Sequence, residues 1–147
     1  MKHRPAEAAL PGDADVAWPV NIGDAARLSG VSPKMVRHYE GLGLLAHVAR
    51  SDSGYRQYAA ADVHSLRFIK RARDLGFSME EIAQLLGLWQ NRRRASASVR
   101  RIAQKHAEDL AQRIAAMQEM QRTLQHLIHC CHGDERPECP ILDRLAG

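Results

Sequence analysis

From residue 91 to His132 the chain contains neither proline nor glycine. Over that stretch Val99, Ile102, His106, Leu110, Ile114, Met117, Met120, Leu124 and Leu127 follow one another at steps of three or four. Steps of this kind trace the seam of a coiled coil. They predict a single long helix, capped at its start by Ser98 and ended by Gly133 and Pro137. Some 30 residues at 1.5 Å each make a rod of about 45 Å. A chain of 147 residues has length for about one domain and little globular core on which to lay such a rod. The seam therefore points to a homodimer paired along the helix, with packing back on its own domain as the alternative. A short tail with Ile141, Leu142 and Leu145 follows.

Composition removes several classes. No run approaches the roughly 18 apolar residues that a membrane-spanning helix needs. Met1 to Trp18 lacks the apolar core of a signal peptide, so a cytoplasmic protein is expected. Charge is mixed, with a formal net charge of +4, and apolar residues make up 45%. That balance argues against global disorder. Three cysteines without an export signal are no disulfide framework. All three lie among the last 18 residues, which calls for an explanation. An enzyme is not expected: there is no Gly-rich phosphate loop, no H-E-x-x-H and no nucleophile elbow.

Upstream of the rod the texture is one of short helices and tight turns. Residues 1–19 hold Pro5, Pro11 and Pro19 and no steady apolar period, and read as a mobile extension. Asn21 can cap a helix carrying Ile22, Ala25, Ala26 and Leu28, and Gly30 can end it. Ser32 can cap a second, with Pro33 at its first position, running through Met35, Val36 and Tyr39 to about Glu40. Two short helices joined by a tight glycine turn form a helix-turn-helix. Ser53-Gly54 then marks a turn beside a Tyr-rich candidate strand, which reads as a wing. Asp62 can cap a third helix with Val63, Leu66, Ile69 and Ala72, ending near Gly76. Ser78-Met79-Glu80-Glu81 is a capping box for a fourth, with Ile82, Leu85, Leu86 and Trp89.

A helix-turn-helix reads DNA through side chains of its second helix, with basic groups nearby to neutralise phosphates. Ser32, Lys34, Arg37, His38 and Tyr39 fit the second helix, and Arg50, Tyr55 and Arg56 fit the wing. An arginine can hold a phosphate or a guanine edge with two parallel hydrogen bonds. Tyr39 and Tyr58 are equally suited to packing the core of so small a domain.

Cys131 and Cys139 are separated by seven residues, Gly133 and Pro137 among them to curl the chain. Thiolates are soft donors that favour Cu(I), Fe–S or Zn. Two of them suit a monovalent d10 ion in linear coordination, whereas a structural zinc site takes four ligands. His129, Cys130 and His132 could supply the others, so the residues alone leave zinc open. A cytosolic thiol buffering metal is a further alternative, although it has no use for a winged helix. Three cysteines do not make a four-cysteine iron–sulfur site.

Taken together, Ile22-Gly23-Asp24-Ala25-Ala26, Val31-Ser32-Pro33-Lys34-Met35-Val36-Arg37-His38-Tyr39-Glu40, Gly43-Leu44-Leu45, Arg50 and Gly54-Tyr55-Arg56-Gln57-Tyr58 resemble the N-terminal domain of the MerR family of transcription regulators. The likeness continues through Ile69, Arg73, Leu75-Gly76-Phe77-Ser78 and Glu81-Ile82, and covers roughly residues 20–145. His38 departs from it, standing where the family usually has Phe or Tyr. Cys131-x7-Cys139-Pro140-Ile141 resembles the loop of the copper-responsive branch, which holds Cu(I), and also Ag(I) and Au(I), with two cysteines. Members that sense divalent metals carry a third cysteine at the start of the dimer helix. Here Ser96 stands at that position, 35 residues before Cys131, beside the partner subunit's loop if the likeness holds. Cys130, and His132 in place of a common Pro, are unusual for the branch. Cys130, one helical step from Cys131, is expected to point away.

The resemblance implies a mainly α fold. Its expected parts are an extension (1–19), a winged helix-turn-helix (20–90), a linker and dimerisation helix (91–130), and a metal-binding loop with tail (131–147). It implies a Cu(I)-responsive activator of copper efflux and detoxification genes. Such an activator binds double-stranded promoter DNA with RNA polymerase and distorts that DNA on binding metal. A zinc-type divalent sensor of the same family is the alternative.

Overall fold

A computed structural model describes residues 15–91, 93 and 95–147. The chain divides into two compact units, residues 1–94 and residues 95–147. The architecture is mainly α, with six helices and one two-stranded hairpin among the described residues.

In the first unit α1 (Ile22–Ser29) and α2 (Pro33–Gly41) form the helix-turn-helix. Their ends obey local rules. The Asn21 side chain accepts from Asp24 N at 2.8 Å, and the Ser32 hydroxyl accepts from Met35 N at 3.3 Å. Each satisfies one of the N–H groups that a helix start leaves without a partner. Gly30 closes α1 with φ of 74°. A side chain there would be strained by that φ and would also meet Lys70 Cε at 3.2 Å.

The wing is β1 (Ala49–Arg50) paired antiparallel with β2 (Arg56–Gln57). Its turn is closed by Gly54 N donating to Ser51 O, at 2.8 Å. Beyond the hairpin, Val20 and Tyr58 form a bridge, exchanging backbone hydrogen bonds of 2.9 and 2.8 Å. Val16 and Trp18 pack against the core. The end of the expected extension, residues 15–19, thus belongs to the folded unit, while residues 1–14 lie outside the described residues.

Helix α3 (Ala60–Asp74) and helix α4 (Met79–Gln90) complete the unit. Asp62 was expected to cap α3 from its N-cap position, but that position is Ala59. Asp62 lies in the first turn and reaches back, accepting from Ala59 N at 3.0 Å and, with its other oxygen, from His47 N at 3.1 Å. A buried carboxylate is tolerable only when so satisfied. The Ser78–Glu81 capping box is reciprocal, with distances of 3.0 and 3.2 Å. The core gathers Ala25, Val36, Tyr39, Tyr58, Val63, Leu66, Ile69, Ile82 and Leu86. Trp89 stacks on Phe68, ring centroids 4.9 Å apart.

The second unit is α5 (Ser96–Cys130) and α6 (Pro140–Ala146), which lies against it. Helix α5 has 35 residues, about 52 Å of rod. It starts two residues before the expected Ser98, which donates its N–H to Ala95 O at 3.0 Å in the first turn. It also stops before His132. The N–H of Cys131 folds back on the carbonyls of Leu127 and Ile128, at 3.0 and 3.1 Å. The tail is a helix because Pro140 sits in its first turn, where no N–H is needed.

Candidate functional site

The candidate reading face lies on α2 and the wing. Ser32, Lys34, Arg37 and His38 are exposed. Tyr39, expected among them, is not: its ring is 2% exposed in the core, and its hydroxyl accepts from Arg73 Nη1 at 2.7 Å. On a helix Tyr39 stands three residues beyond Val36, the same inward stripe. Arg73 is thus a residue that the DNA-reading pattern misses; an Arg following an apolar helix stripe gives no sign of its partner.

On the wing Tyr55 is 75% exposed at the turn. Arg50 donates from Nη1 to Gly54 O at 2.9 Å, bracing the turn. Arg56 is only half-exposed, with its Nε 2.8 Å from Glu40 Oε2. The contact is an ion pair rather than a directed hydrogen bond, since that Nε has no acceptor along its N–H. The same Glu40 oxygen accepts from the Tyr58 hydroxyl at 3.1 Å. Burial first, and then the Glu40 charge and hydrogen bond, push the Tyr58 phenol up to about 12. Glu40, in the last turn of α2, is absent from the expected contacts.

The loop of residues 131–139 joins the two helices of the second unit, and its thiols occupy its ends. Cys131 is the C-cap residue of α5 and Cys139 the N-cap residue of α6, both half-buried. Cys130, the last residue of α5, is exposed, and its Sγ lies 3.8 Å from His126 Nε2 one turn back. Acidic and basic groups of the loop engage each other: Arg136 donates from Nε to Asp134 Oδ2 at 2.7 Å and from its backbone N to Oδ1 at 3.0 Å. Among the described residues no three His, Cys, Asp or Glu side chains come together as metal donors. Ser96 is exposed at the first residue of α5, and no side-chain cap is made there.

A winged helix-turn-helix followed by a long helix defines a DNA-binding transcription regulator. The family comparison says the same: residues 20–88 match the MerR HTH family regulatory proteins and residues 63–127 match the MerR DNA-binding region. The chain belongs to the MerR family, whose regulators are not enzymes. It is 54% identical over 128 residues to the heavy metal-dependent transcription regulator 2 of Rhizobium meliloti (strain 1021), covering 87% of each chain. It is 35% identical to the HTH-type transcriptional regulator CueR of Escherichia coli O6:H1, covering 87% of this chain and 95% of that one. Its fold is similar to that of the transcription regulator PbrR691 of Ralstonia metallidurans CH34, solved in complex with lead(II). The TM-score is 0.77 at 28% identity, covering 86% of this chain and 98% of that one. The protein is a heavy-metal-dependent transcription regulator. Among the described residues no helix is long and apolar enough to cross a membrane.

Proposed function

We propose that the protein is a cytoplasmic, homodimeric activator that responds to Cu(I), with Ag(I) and Au(I) as further inducers, and turns on copper export and detoxification genes. One observation carries the choice of metal: the loop puts a thiol at each end, while Ser96, not cysteine, stands where divalent-metal sensors have their third sulfur. Bound to the two thiolates, a monovalent ion would complete a linear set and leave one net negative charge.

Cys131 and Cys139 would hold the ion, and each belongs to a helix terminus, so metal would fix the end of α5 to the start of α6. Cys130 is turned toward His126 and is left out. The second copy of the chain would pair along α5. Ile114, Met117, Met120, Leu124 and Ile128 are each more than half exposed in the single chain. Fully covering side chains of this size yields about 1.5–3 kcal/mol each, enough to hold a dimer. Ser32, Lys34, Arg37, His38, Arg50, Tyr55 and Arg56 would contact promoter DNA, while Tyr39 supports the recognition helix from inside. Deforming a promoter costs on the order of a few kcal/mol, within reach of what thiolate ligation can supply. The regulator would therefore sit on DNA in both states and, with metal, twist and bend it into a form RNA polymerase can use.

Transcription in vitro from the promoter of a copper-export gene of the same organism, with RNA polymerase present, tests this reading. Cu(I) should raise transcript yield without being needed for DNA binding. Induction by Zn(II) and not by Cu(I) would replace this reading with the divalent-sensor one.

A further inference from the structure

We infer that Glu40 is a positioning residue for DNA binding: its carboxylate holds the Arg56 guanidinium, and with it the wing, in the place from which Arg56 meets a phosphate. The inference rests on the proposed phosphate contact of Arg56 and adds the group that aims it.

The wing needs such a tether. It has two residues in each strand, and a lone two-stranded hairpin is marginal in water. Arg56 lies on β2 and Glu40 in the last turn of α2, the two elements that would touch DNA. Their 2.8 Å ion pair links them directly. Glu40 is itself anchored, because the same oxygen accepts from the Tyr58 hydroxyl and the Tyr58 ring is fully buried. The pair engages Arg56 at Nε. A guanidinium has five N–H donors, and the Arg56 side chain keeps 36% exposure, so its terminal amino edge is available to an oxyanion. A long side chain fixed before binding loses less rotamer entropy when the phosphate arrives.

The sign of the effect separates this from simple charge. Removing a carboxylate from a DNA-facing surface ordinarily strengthens binding, because it removes a repulsion. Glu40→Gln should instead weaken it. Phosphate contacts are sequence-independent and set the salt slope, so a random-sequence duplex of about 30 base pairs suffices as the probe. Affinity is read by fluorescence anisotropy across a salt series with the full-length protein.

Arg56→Ala should lower the slope of log K against log salt by about 1. Glu40→Gln should lower it by a similar amount, and the double variant should resemble Arg56→Ala alone. Tyr58→Phe removes the Glu40 anchor but leaves the ion pair, and should lower the slope less than Glu40→Gln does. Glu40→Gln binding as tightly as wild type or tighter overturns the inference. So does weaker binding with an unchanged slope, which would mean a merely structural role. A full slope in Arg56→Ala would instead remove the phosphate contact itself, a failure distinct from that of Glu40.

Discussion

Arg73 of α3 donates a 2.7 Å hydrogen bond to the hydroxyl of Tyr39, 34 residues earlier in the recognition helix. The bond joins a buried ring to a solvent-facing cation, and the Tyr39 bond is the chief cause that holds the Arg73 guanidinium above its ordinary pKa. Helix α2 is thus oriented from behind by α3, which packs on α1, and Ser32, Lys34, Arg37 and His38 of its outer face stay exposed.

Tyr39→Phe keeps the ring and removes the bond. A hydrogen bond of this type contributes about 1 kcal/mol net, and the variant should lose about that much stability by urea denaturation. Its affinity for promoter DNA should change little. A large loss of affinity with unchanged stability would return Tyr39 to the reading face.

The alkaline limit should depend on Tyr58. Its phenol is pushed up to about 12 in the folded chain, above the ordinary value near 10. The folded state therefore favours the protonated form. That contribution is complete below pH 10 and is lost as the pH rises toward 12. Tyr58→Phe has no proton to lose, so urea midpoints measured from pH 9 to 11 should fall less steeply in the variant than in wild type. Parallel curves would contradict the Glu40 environment described for Tyr58.

How much of this was legible in the residues follows from the range of the interactions. Asn21, Ser32 and the Ser78–Glu81 box act within one helical turn, and their helices start where the sequence places them. Asp62 misleads because one of its partners is the backbone of His47, 15 residues away. Tyr39 misleads because helix periodicity alone does not separate a reading face from a buried one when both carry Tyr. The bridge between Val20 and Tyr58 joins segments 38 residues apart and leaves no local trace. Helix α6 was missed as a helix: at seven residues, with no side-chain cap, it shows little beyond Pro140. The thiol spacing was readable, and the structure adds that the two thiols terminate two different helices.

The three cysteines should separate in function. Cys131→Ser or Cys139→Ser should abolish metal-dependent transcription while leaving promoter binding intact. Cys130→Ser should leave the response unchanged, since its exposed thiol lies 3.8 Å from His126 on α5, outside the loop. Reporter induction and gel shift on the same variants check both halves. An intact response in Cys131→Ser or Cys139→Ser would remove the loop from the sensor.

Selectivity should yield at Ser96. Ser96→Cys would put a sulfur where the resemblance places the third ligand of divalent-metal sensors, at an exposed first residue of α5 where no side-chain cap is lost. The variant's reporter should gain a response to Zn(II) or a heavier divalent ion. A metal profile identical to wild type would count against Ser96 as the position that excludes them.

The most direct test of the central claim is an anaerobic titration of the purified full-length protein with Cu(I), Ag(I) and Zn(II), read as metal bound per subunit. The account predicts one tightly held Cu(I) or Ag(I) per chain, lost in both Cys131→Ser and Cys139→Ser, and far weaker Zn(II). Zn(II) held as tightly as Cu(I), or Cu(I) retained without either cysteine, would contradict it.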